Sequence, residues 1–141
     1  MMRPAKRFEL LEHTADIGLA AYGANLGEAF EAAAQGMFAV IAEPDSVREK
    51  LCFPVDVTGE DYESLLVEWL NELLYLFDVE NVLLRGFSVR EITATHLTAR
   101  VCGEMFDPAR HQINLGVKAA TYHAVSVERT DGVRLKVILD V

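Results

Sequence analysis

The chain has 141 residues, 51% of them hydrophobic, with 22 Asp and Glu against 13 Lys and Arg for a formal net charge of −9. That length suits one domain over residues 1–141 with a sizeable core, and the apolar half excludes a disordered chain. The acidic balance argues against a broad electrostatic footprint for RNA or DNA and favours a basic protein or a cation as partner.

In chain order, Phe8 to Leu11 and Ile17 to Tyr22 are short strand candidates on either side of the turn H-T-A-D. Asn25 reads as an N-cap, with Glu28 three residues on. Leu26, Ala29, Phe30, Ala33, Met37, Val40 and Ile41 then follow at helical spacing until Pro44. Cys52 to Val57 reads as a strand in which Pro54 favours an edge position. A second helix begins near Asp61 and lines up Leu65, Leu66, Trp69, Leu70, Leu73, Leu74 and Phe77 on one wide face. Beyond Asn81 the pattern turns to β: Leu84 to Ile92, Leu97 to Val101, Ala119 to Glu128 and Val133 to Leu139. These elements predict an α+β fold, a single domain in which one mixed sheet of about six strands packs with two main helices.

Asp131-Gly132 between the last two strands is a strong hairpin signal. With a two-residue turn, Thr130 faces Val133, Asp140 faces His123, Val141 faces Tyr122, and Arg129 meets Arg134 as a like-charge pair. A bulge would shift every partner by one.

Cys52 and Cys102 lack C-x-x-C spacing and a third cysteine, so neither a disulfide framework nor a cysteine zinc site is implied. Both are expected as small buried hydrophobes of a reduced cytoplasmic protein. The basic start M-M-R-P-A-K-R is followed by an apolar stretch that Glu9 interrupts, which is no signal-peptide core, and no apolar run reaches membrane-spanning length. Phosphate-loop, dinucleotide and nucleophile-elbow motifs are absent from the sequence.

The chemistry concentrates at the end of the chain, where Asp140 and the α-carboxylate of Val141 lie one residue apart. Asp16 is the candidate third carboxylate. Such oxygen donors suit calcium, magnesium or manganese better than zinc or copper. The same residues are also compatible with a turn cap at Asp16 and a solvated strand end at Asp140. His13, three residues before Asp16, could pair with it or simply close the turn. His123 could orient Asp140 through a hydrogen bond or serve only the strand pairing. The segment D-P-A-R-H at 107–111 collects ionisable groups on a connection, and Lys118 soon after reads as a surface charge. Glu68 and Glu72, four apart on the second helix, fit a solvated face, and with Glu60, Asp61 and Glu63 they give it a negative surface.

The motifs H-T-A-D-I-G (His13 to Gly18), L-L-V-E-W-L-N-E-L-L-Y-L-F-D (Leu65 to Asp78), V-K-A-A-T-Y-H (Val117 to His123) and the final V-I-L-D-V together resemble the archease family, in register over essentially the whole chain. The resemblance implies a cytoplasmic protein cofactor, not an enzyme, whose partner is the GTP-dependent RNA-splicing ligase of tRNA splicing and RNA repair. It would promote guanylylation of that ligase and its multiple turnover, meeting RNA only indirectly through the ligase and no membrane. It also implies a divalent-metal site, calcium in character, at Asp16, Asp140 and Val141, and an activity-related role for Lys118. The rival readings are a stand-alone metal-dependent hydrolase with His13 or His123 as general base, and a chaperone-like interaction module whose metal is structural.

Overall fold

In the computed structural model, which describes residues 7–11 and 16–141, the described chain forms seven strands and two long helices. Their order is β1 (Phe8–Leu11), β2 (Asp16–Gly23), α1 (Leu26–Ile41), β3 (Leu51–Thr58), α2 (Tyr62–Asp78), β4 (Val82–Ile92), β5 (His96–Met105), β6 (Ala119–Glu128) and β7 (Val133–Asp140), with a 3-10 turn at Pro44–Ser46.

Both helices start where their caps dictate. The Asn25 side chain accepts a hydrogen bond from the Glu28 N–H at 2.9 Å, and Asp61 and Ser64 form a reciprocal capping box. Ten of the 16 residues of α1 are buried, too many for a helix with one wet face, and the helix packs against both β2 and β4. Its small residues Ala29, Ala32, Ala33 and Ala34 let the two neighbours approach closely. α2 contributes fully buried Leu65, Leu66, Trp69, Leu70 and Leu73, each such side chain stabilising the fold by about 1.5–3 kcal/mol. A buried indole N–H needs an acceptor, and Trp69 Nε1 donates to the Phe30 carbonyl of α1 at 3.0 Å.

The strands divide between two sheets rather than sharing one. One runs β1-β2-β7-β6 and the other β3-β5-β4, and every pairing is antiparallel. The fold is α+β as expected, but a single mixed sheet would leave one side of α1 without a partner. The helices meet strands of both sheets and join them through one apolar core. Pro54 sits on β3, an outer strand, where its missing N–H breaks no ladder.

Two expectations fail here. Cys52 and Cys102 face each other across β3 and β5 and form a disulfide, with Cα atoms 4.1 Å apart; Cys52 is exposed, not a buried free thiol. Fifty residues separate the two in sequence, so no local spacing signals the pair, and only the β3–β5 register brings them together. The second concerns the last hairpin. Asp131 and Gly132 do take positive φ, 56° and 93°, as its turn requires. Pairing nevertheless begins one residue out of step, with Glu128 facing Arg134, so an opposite-charge pair at 3.4 Å replaces the Arg129–Arg134 clash. Arg129 instead lies over the Tyr62 ring, 5.1 Å from its centroid.

Candidate functional site

The β2–β7 ladder runs unbroken from Gly23 facing Val133 to Asp16 facing Asp140. Facing residues of an antiparallel pair point to the same side of the sheet with Cβ atoms about 4.5–5.5 Å apart. The fold thus sets two half-buried carboxylates side by side at one end of the four-stranded sheet. Like charges so placed repel unless a donor or cation compensates. The described ion pairs do not include Asp140. Val141 follows with its side chain half-buried against the core, which holds the end of β7 beside Asp140.

Lys118 lies at the same end. Its N–H donates to the Asp140 carbonyl at 2.7 Å, while its side chain is exposed. His13 lies outside the described residues. His123 is not opposite Asp140, whose partner on β6 is Ala119. Between Thr121 and Ser126 the β6 strand leaves register, and Ala124 there adopts a φ of 58°, a left-handed conformation that alanine rarely takes. The irregular stretch absorbs extra residues on β6 alone, so His123 ends up exposed and four residues along β6 from Ala119, the residue that faces Asp140. Tyr122 likewise does not face Val141. It is exposed and donates to Glu68 Oε2 at 2.6 Å, so Glu68 is more than a solvated charge. That hydrogen bond to a carboxylate pushes the Tyr122 phenol up to about 12.

The side chains that could hold a cation are therefore those of Asp16 and Asp140. Among the described residues no group of three or more His, Cys, Asp and Glu is arranged as a metal site. A two-carboxylate donor set without nitrogen or sulfur fits a hard cation such as calcium or magnesium, which completes its shell with carbonyl and water oxygens.

The segment at 107–111 builds a different constellation, one that residue patterns did not reveal. Glu104, 5% exposed on β5, accepts from Arg110 Nη1 at 3.0 Å, from the Arg48 N–H at 2.8 Å and from His111 Nε2 at 2.9 Å. The Asp107 N–H donates to His111 Nδ1 at 2.9 Å, which fixes the Nε2–H tautomer that donates to Glu104. The imidazole stacks on Phe106. The Arg110 guanidinium holds the Glu104 carboxyl down to about 2 against the opposing effect of burial. Every group in this cluster is satisfied from within the protein, so it locks the loop in place. The one signal of a buried glutamate was its place in V-C-G-E-M, a stretch of otherwise small or apolar residues.

Comparison with known proteins bears on the whole chain. Residues 8–141 match the Archease protein family (MTH1598/TM1083). The chain is 41% identical to Protein archease of Methanosarcina acetivorans, with 100% of both chains covered, and 45% identical to Protein archease of Pyrococcus abyssi over 88% of this chain and 89% of the relative. The solution structure of Methanobacterium thermoautotrophicum protein 1598 is similar with a TM-score of 0.82 at 38% identity, covering 97% of this chain and 100% of that one.

Proposed function

The chain belongs to the archease family, and from that premise we propose that it is a protein cofactor which activates the GTP-dependent RNA-splicing ligase. The observation that carries the reading is the placement of Asp16 opposite Asp140 at the end of the β2–β7 ladder. Asp16, Asp140 and the terminal carboxylate of Val141 would hold a divalent cation, calcium by the family resemblance, with magnesium or manganese equally suited to oxygen donors. Bound there, the cation would supply a positive charge on an otherwise acidic protein, able to meet phosphate oxygens at the mouth of the ligase. The chain's own part is to hold the two carboxylates on rigid neighbouring strands, with Lys118 beside them as a further cationic group. The protein itself would perform no covalent step; it would favour guanylylation of the ligase and so restore multiple turnover in tRNA splicing and RNA repair. We place it in the cytoplasm with its ligase. A disulfide is unusual in that compartment but does occur in intracellular proteins of hyperthermophiles.

The test is multiple-turnover ligation by the cognate ligase with GTP, with and without this protein. The wild type should stimulate turnover, and folded Asp16→Ala and Asp140→Ala variants should not. Undiminished stimulation by the double variant would exclude the carboxylate pair. Fusing residues after Val141, which converts its carboxylate to an amide, should also impair stimulation. Phosphoester turnover by the protein alone would favour a metal-dependent hydrolase instead.

A further inference from the structure

Among the described residues β6 is an outer strand of its sheet, with no strand paired on the side away from β7. Asn71 of α2 takes that place at one residue. Its Oδ1 accepts from the Ala120 N–H at 2.8 Å, and its Nδ2 donates to the Ala120 carbonyl at 3.1 Å. A primary amide offers one acceptor and a donor on a single planar head, which a carboxylate does not. Ala120 is 4% exposed, so water could not readily replace either bond. One turn earlier on α2, Glu68 holds Tyr122, and beyond Thr121 the strand leaves register. Asn71 thus pins the last regular part of β6 before the irregular stretch.

Two links run from that pinned residue to the carboxylates. Ala119, next to Ala120, faces Asp140, and the Lys118 N–H bonds the Asp140 carbonyl at 2.7 Å. Asp140 in turn faces Asp16. The position of Asp140 against Asp16 therefore depends on how firmly the start of β6 is held. We propose that Asn71 is a positioning residue for the cation site: by gripping both backbone groups of Ala120 it holds the start of β6, and through it Asp140, at the spacing from Asp16 that one cation can bridge. This rests on the metal reading of the preceding section.

Calcium titration of the full chain by calorimetry tests both and separates them. Asn71→Ala should bind calcium about tenfold more weakly than the wild type, the low end of what loss of a group supporting a ligand costs. Tyr122→Phe, which removes the neighbouring bond between α2 and β6 but leaves Ala120 held, should stay within about twofold. Equal affinity of Asn71→Ala and wild type overturns the proposal, and so does equal weakening by Tyr122→Phe, which would mean general loosening. A wild type that binds no calcium overturns the metal reading itself. A measurement on the wild type guards against a variant that fails to fold: by reciprocity of coupling, calcium should slow amide exchange at Ala120 by the same factor as the lost affinity. Unchanged protection at Ala120 on calcium binding refutes the proposal.

Discussion

Glu104 and Asp140 are both carboxylates carried on strands, and they differ in what supplies the positive charge. Glu104 is surrounded by Arg110, His111 and the Arg48 N–H, all within 3.0 Å. Asp140 faces a second carboxylate, and its described neighbour Lys118 contributes a backbone bond and not its ammonium. A buried carboxylate compensated by the protein is part of the architecture. For the pair at the strand end we propose instead a charge from outside, a bound cation. On that proposal the contrast would separate structural from functional acid groups in a chain where 22 Asp and Glu look alike in sequence.

The largest effect that could break this comparison is on stability. Glu104→Ala should cost about 3–5 kcal/mol in denaturant unfolding, because Arg110 and His111 lose their partner. Asp140→Ala should fall within about 0.5 kcal/mol of the wild type, since the described ion pairs do not include it. Equal costs would end the distinction. The pH dependence follows from the same group. The Glu104 carboxyl titrates near 2 in the folded protein against an ordinary value of 4.5. Its contribution is therefore complete above 4.5 and lost as pH falls from there through 2. Melting temperatures between pH 6 and 2 should show this acid limb flattened in Glu104→Gln and retained in Asp140→Asn.

Next in size is the disulfide, which lies on β5 two residues from Glu104 and belongs to the same structural end. Reduction, or replacement of both Cys52 and Cys102 by Ser, should destabilise the chain by about 2–4 kcal/mol. Calcium response should survive the loss, because the pair lies in the other sheet. Loss of calcium binding on reduction would couple the regions that the comparison separates. The smallest effect is the cation itself. Calcium at ten times its Kd should raise the unfolding free energy of the wild type by about 1.4 kcal/mol and leave Asp140→Ala unmoved. A calcium-dependent shift in the melting of Asp140→Ala would move the site elsewhere.

Both helices were legible because their signals are local: Asn25 with Glu28, Asp61 at the start of α2, and apolar residues at helical spacing lie within a turn or two of each other. Pro54 declared an outer strand for the same reason. The final hairpin was half legible. Asp131-Gly132 marks the turn, but the register depends on whether β6 runs straight, and nothing in T-Y-H-A-V announces that Ala124 adopts a positive φ. His123 was misplaced on that account. The Cys52–Cys102 bond and the Glu104 cluster were missed because each joins groups through strand pairing or loop closure rather than spacing.

By itself the sequence determined the element types, the ends of the helices, the family and the residue kinds able to bind a hard cation, since all of these rest on local chemistry or on matching motifs. Only the tertiary structure decided that the strands split into two sheets around α1, and that Asp16 stands opposite Asp140. It alone decided that Glu104 is neutralised from within and that Asn71 closes the outer edge of β6. The reason is the same throughout. Strand pairing brings together residues that are distant in the chain, and its register shifts with every irregularity between them, so which charges face each other is settled only once the chain has folded.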